Sequence, residues 1–127
     1  LSRAKDVFGD LAGVNDVMAI ILMAAKYNVP VCPHGGGIAL CNMIQHYGMW
    51  DQIAVAGHSN TQLVEYIDFL QDSVVHPVVT KNGHYATPKA IGWGLDFLPE
   101  FLEQHRFPEG KVWKDRSPLR KGTMFEA

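Results

Sequence analysis

No apolar run in this sequence approaches the roughly 18 residues that a membrane-spanning helix requires. The longest, residues 17–25, sits inside an amphipathic pattern. Cysteine is scarce: Cys32 and Cys41 are the only two, too few for a secreted disulfide framework. An excess of one charge is missing as well. Lys and Arg number 11 against 13 Asp and Glu, the formal net charge is −2, and no block of like charges stands out. The sequence therefore carries no electrostatic footprint for nucleic acid or an anionic membrane, and neither is expected as a partner. Internal repeats and low-complexity segments are absent. No apolar signal-peptide core follows Leu1-Ser2-Arg3-Ala4-Lys5-Asp6. The first residue is Leu and not Met, so the expectation is a chain that begins partway through a longer gene product, in the cytoplasm or the mitochondrial matrix.

What is present is the composition of an ordinary globular domain: 127 residues, 47 % apolar and 19 % charged. Residues 5–8 read as a short strand cut off by Gly9 and Asp10. Gly13-Val14-Asn15-Asp16 opens a helix, with Asn15 as the capping acceptor and Asp16 at the positive end of the dipole. Val17, Ile20, Ile21, Ala24 and Ala25 recur at helical spacing, and Asn28 stops the helix. Val29-Pro30-Val31-Cys32 reads as a buried strand, and residues 38–46 as a helix. Residues 53–57, a continuous apolar run, read as another strand, and residues 61–72 as another helix. Strands alternating with helices, the strands apolar throughout, point to an α/β fold with a covered parallel sheet. From Pro77 the pattern changes. Asn82-Gly83 between two short runs predicts a β-hairpin, because both residues tolerate positive φ. Residues 97–105 read as a helix with Pro99 in its first turn, Pro108-Glu109-Gly110 as a turn, and the polar, basic end as a tail.

The stretch with most chemistry is Cys32-Pro33-His34-Gly35-Gly36-Gly37. A His leaving the C-terminal end of a buried parallel strand faces the mouth of the sheet, where α/β folds place their sites. An imidazole there can give or take a proton at neutral pH. The plain alternative is a loop His beside a flexible turn. Cys32, His34, Cys41 and His46 match no common zinc spacing. His34-Gly35-Gly36-Gly37 is also similar to an esterase oxyanion loop, but that fold needs a G-x-S-x-G elbow, which the sequence lacks. His58, Ser59 and Asn60 follow the run 53–57 and would line the same mouth, or cap the next helix. His46, His76, His84 and His105 lack convergent partners and read as surface or structural residues.

Gly13-Val14-Asn15-Asp16-Val17-Met18-Ala19-Ile20 and Val29-Pro30-Val31-Cys32-Pro33-His34-Gly35-Gly36-Gly37 closely resemble the sixth-helix to seventh-strand region of L-fuconate dehydratases of the enolase superfamily. The similarity continues through Leu40-Cys41, Gln45-His46, Glu65-Tyr66-Ile67-Asp68 and Phe107-Pro108-Glu109-Gly110-Lys111-Val112-Trp113. This resemblance implies the C-terminal portion of a (β/α)8 TIM-type barrel, about the last three strand–helix units, over residues 1–75. A hairpin segment contributing to a capping domain would follow over 76–114, then a flexible tail over 115–127. It implies a Mg2+-dependent dehydratase of an acid sugar: a base removes the proton α to the carboxylate, the metal stabilises the enediolate, and an acid assists loss of the β-hydroxyl. His34 matches the strand-seven acid/base. Asp6, with a one-residue shift, would supply the carboxylate that pairs with it, and Asn60 stands where an acidic residue is usual and would contact substrate. The metal ligands and the Lys-x-Lys base of the family lie on earlier strands, outside these 127 residues. The expectations are therefore no dehydratase activity for the chain alone, and a need for the rest of the barrel or for self-association. The alternative is a diverged, non-catalytic homologue acting as an interaction or oligomerisation module.

Overall fold

A computed structural model of the chain describes residues 4–5, 13–57 and 63–115. They divide into two compact units, one within residues 1–95 and one within 96–127.

In the first unit, β1 (Ala4–Lys5) and β2 (Val31–Cys32) pair in parallel, Ala4 with Val31 and Lys5 with Cys32. Between them runs α1 (Val14–Lys26). This is the expected strand–helix–strand unit, although residues 6–8 of the first expected strand lie outside the described residues. One detail of α1 differs from the sequence reading. The helix starts at Val14, its cap is Gly13, and no side chain caps it. Asn15 lies inside the first turn, and the Val17 N–H is taken by the Gly13 carbonyl at 3.3 Å. Asn28 ends the helix as expected, at a left-handed φ of 54° that asparagine tolerates better than most residues.

α2 (Leu40–Trp50) begins two residues later than the sequence suggests, after a left-handed Ala39, and runs further. It continues without a break into a wide-turned, π-type helical stretch, Asp51–Ala56. The strand expected at 53–57 is thus helical. No Gly or Pro interrupts the chain between Trp50 and Ala56, and Gly57, at φ 62°, supplies the left-handed stop. Val55 packs on the core while Ile53 is 78 % exposed. An apolar run of this length reads equally as a strand or as a helix segment.

The helix expected at 61–72 is corrected too. Residues 63–67 belong to no helix, Ile67 has extended backbone, and a 3-10 turn, Asp68–Ser73, follows. Val64, Tyr66 and Ile67 are residue types that suit extended backbone. Two interactions hold the segment: the Glu65 N–H donates to the Pro33 carbonyl at 3.2 Å, and Val64 packs over Gly48. A Cβ at Gly48 would come within 2.7 Å of the Val64 side chain, so the close approach requires glycine there. Gln71 then ties the turn down, donating to the Ile67 carbonyl at 3.1 Å and accepting from the Val78 N–H at 3.0 Å.

The expected hairpin is present. β3 (Thr80–Lys81) and β4 (His84–Tyr85) pair antiparallel around Asn82 and Gly83, both at positive φ. The core of this unit joins one face of α1 (Val17, Ile21, Ala24) to Val31 of β2 and to Ile44 and Tyr47 of α2.

In the second unit, α3 (Pro99–His105) carries Pro99 in its first turn, as expected. α4 (Lys111–Asp115) forms after the 108–110 turn, where no helix was expected. Trp113 Nε1 donates to the His105 carbonyl at 2.7 Å and joins the two helices. No helix among the described residues is long and apolar enough to cross a membrane.

Candidate active site

His34 follows the end of β2 after the buried Pro33. Its Nδ1 lies 2.5 Å from Glu65 Oε2, with both side chains partly exposed. The same carboxylate oxygen accepts the Gly35 N–H at 2.8 Å. An ionised carboxylate only accepts hydrogen bonds. Two donors converging on one oxygen therefore put the proton on His34 Nδ1, and Nε2 becomes the nitrogen whose protonation changes.

Glu65 is itself positioned from two sides. Its N–H is held by Pro33, and its carbonyl accepts the Tyr85 hydroxyl at 2.5 Å. Tyr85 stands on β4 and meets Tyr66 edge-to-face. Burial first, then hydrogen bonding with Cys41 and the nearby Cys41, Tyr66 and Glu65, push its hydroxyl well above the ordinary value of 10.0. It therefore remains a donor over the whole physiological range.

The glycines after His34 have separate reasons. A Cβ at Gly35 would press on the Glu65 carbonyl, Cys41 Sγ and Ile44 at 3.1–3.3 Å. A Cβ at Gly36 would run into the His34 ring. The Gly35 N–H is already committed to Glu65, which removes it from any oxyanion-hole role.

Of the site residues expected from sequence, His34 lies in this arrangement, while Asp6 and Asn60, with His58 and Ser59, lie outside the described residues. Glu65, which takes the His34 Nδ1 proton, and Tyr85 were not singled out. The sequence signal for Glu65 was the Glu65-Tyr66-Ile67-Asp68 stretch, but a helical reading turned it away from His34. Cys41 is buried and donates weakly to the Gly35 carbonyl at 3.8 Å. His46 meets Trp93 edge-on, and His105 Nδ1 lies 2.8 Å from the Phe101 carbonyl. No group of three or more His, Cys, Asp or Glu among the described residues converges to hold a metal ion. The described residues thus do not fit a Mg2+ site on their own.

Residues 8–101 match the enolase C-terminal domain-like family. Mitochondrial enolase superfamily member 1 from Xenopus laevis is 40 % identical over 104 residues, covering 82 % of this chain and 23 % of that protein. An L-galactonate dehydratase from Hypocrea jecorina is 39 % identical over 105 residues, covering 81 % of this chain and 23 % of that protein. The crystal structure of human mitochondrial enolase superfamily member 1 superposes with a TM-score of 0.77 at 36 % identity, over 84 % of this chain and 24 % of that one. The chain spans about a quarter of the length of the curated relatives it matches.

Proposed function

The chain belongs to the enolase C-terminal domain-like family of the enolase superfamily, and on that premise we propose that it is the His-bearing segment of an acid-sugar dehydratase. The observation that carries the proposal is the His34–Glu65 pair at the end of β2. Supporting it are the enolase superfamily relatives and the one named for L-galactonate dehydration.

Dehydration of a sugar acid removes the proton α to the carboxylate and expels the β-hydroxyl, which leaves as water after taking up a proton. His34 would carry one of these protons on Nε2. Glu65 would hold the ring in the tautomer with hydrogen on Nδ1, which leaves Nε2 to exchange the proton. The Gly35 N–H and the Tyr85 hydroxyl would keep Glu65 in place. Mg2+, where the full enzyme binds it, would stabilise the enediolate. Its ligands would come from parts of the barrel outside the described residues, as would the base that opposes His34. The location that accompanies this reading is the mitochondrial matrix or the cytoplasm, in keeping with relatives named as mitochondrial.

The test is exchange of the α-proton, and loss of water, from L-fuconate and L-galactonate in D2O with Mg2+. The chain alone is expected to do neither. The longest natural product containing it is expected to do both on at least one acid. In that product His34→Ala should lower kcat by roughly 10²–10⁴-fold, the usual contribution of a general acid–base group. Turnover by the 127-residue chain alone, abolished by His34→Ala, would overturn the segment reading. Full activity of the longer product without His34 would overturn its role. Inactivity of every form on both acids would favour a non-catalytic interaction module.

A further inference from the structure

Beneath the His34 site lies a side chain to which the proposed reaction gives no part. Cys41 stands in the first turn of α2 and is fully buried. Its thiol meets two groups, and each of them holds Glu65. The first is Gly35. Cys41 Sγ donates weakly to the Gly35 carbonyl at 3.8 Å, and a Cβ on Gly35 would come within 3.2 Å of the sulfur. The Gly35 backbone therefore rests on Sγ, while its N–H reaches the Glu65 carboxylate at 2.8 Å. The second is Tyr85, whose hydroxyl also hydrogen-bonds Cys41.

The direction of that bond follows from the protons at hand. A phenol has one, and Tyr85 gives it to the Glu65 carbonyl. Tyr85 Oη can then only accept from Cys41, so the thiol is the donor. A thiol also has one proton, which the Gly35 carbonyl and Tyr85 Oη share. Gly35 is buried and Tyr85 half-buried. Loss of the donor would leave acceptors short of a partner where water does not freely replace it, and such a loss costs more than the bond itself. A buried cysteine ordinarily serves as a small apolar filler. A filler needs only volume, whereas this sulfur meets both polar groups that grip one carboxylate residue.

We infer that Cys41 is a positioning residue for His34 in the reaction proposed above, and that role rests on the dehydratase reading. Its S–H ties the Gly35 backbone and the Tyr85 hydroxyl to one point. Glu65 is thereby fixed at its carboxylate and at its carbonyl together, and the His34 ring with it. Cys41 acts through these neighbours and not on the ring itself.

The test separates donor from volume. On the full chain, the ¹⁵N shifts of the His34 ring report its tautomer, and exchange of the Gly35 amide reports the grip on Glu65. Cys41→Ser keeps a donor in a smaller side chain and should leave the ring in the Nδ1–H tautomer. Cys41→Ala and Cys41→Val both lack the donor, and Val fills the space. Each should move the ring towards a mixture and speed exchange of the Gly35 amide by about three- to tenfold, the effect of losing one modest hydrogen bond. Should Val not fit and its variant not fold, Ser against Ala still decides the matter. A pure filler gives another order, with Val holding the tautomer and Ser and Ala losing it alike. That order, or a ring unmoved in every variant, would overturn the proposal. The spectra need no turnover, so failure of the dehydratase reading would show separately, as inactivity of the longer product on both acids.

Discussion

At the scale of single residues, the chemistry of His34 is set by a neighbour thirty-one positions away along the chain. Glu65 decides which ring nitrogen carries hydrogen. Removing it with Glu65→Ala should convert His34 from the single Nδ1–H tautomer to a mixture, visible in the ¹⁵N shifts of the ring. An unchanged tautomer would mean that the carboxylate does not govern the ring. Tyr85 acts one step further back. Tyr85→Phe removes the donor to the Glu65 carbonyl and should destabilise the unit by about 1 kcal/mol, as the loss of one buried hydrogen bond generally does. The same residue sets an alkaline limit. Its folded hydroxyl titrates above the unfolded value of 10.0. Its contribution to stability is therefore complete below pH 10 and falls as pH rises further, by about 1.4 kcal/mol per pH unit while only the unfolded form is ionised. Denaturant titrations at pH 9, 10 and 11 should show that decline, and it should be shallower in Tyr85→Phe. His34 was legible from sequence because a Pro before it and three glycines after it mark a strand end opening into a loop. Glu65 was not, because its partnership depends on residues 63–67 staying outside a helix, which a mixed run of apolar and charged residues does not disclose.

At the scale of elements, local signals with a unique backbone meaning were the readable ones. Asn82-Gly83 specified the hairpin, Asn28 the end of α1, and Pro99 the first turn of α3. Runs without such punctuation were misread. Residues 53–57 look like a strand by composition, yet they extend α2 until Gly57 turns the chain into the left-handed region. A pair of substitutions separates the two readings. Ala54→Pro should cost about 3 kcal/mol or more, since it interrupts a helix. Ile53→Lys should change stability by less than about 0.5 kcal/mol, because the side chain is exposed. A buried strand would give a severe loss for Ile53→Lys, so thermal denaturation of the two variants is decisive. The segment expected as a helix at 61–72 was set by contacts no local window contains: Pro33 on one side, Tyr85 on the other, and the bare Gly48 beneath Val64.

At the scale of the molecule, the described residues hold a parallel pair of two strands, β1–β2, a far smaller sheet than a closed barrel requires. Apolar side chains stand on the surface: Leu22, Met23 and Tyr27 near the end of α1 are all more than half exposed. Exposed apolar groups favour association. Sedimentation velocity over a hundredfold concentration range should show reversible self-association of the chain. The paired substitution Leu22→Lys and Met23→Lys should shift it towards monomer. A chain that stays monomeric throughout, with a single sharp melting transition, would speak against a partial barrel. The α/β class and the placement of His34 at a strand end were evident from the strand, helix, strand and helix read up to residue 46, not from the strand at 53–57 and the helix at 61–72 that were expected to continue the alternation. The two compact units were not, because a boundary between contact networks leaves no mark in composition.

Gly36 has a consequence in the language of genetics. Any missense change in a glycine codon adds at least one atom to the α-carbon, and at Gly36 that atom points into the His34 imidazole. Alanine, serine and aspartate alleles should therefore share one phenotype, because each forces the ring out of its place. Severity at this codon would track the presence of a side chain rather than its chemical character.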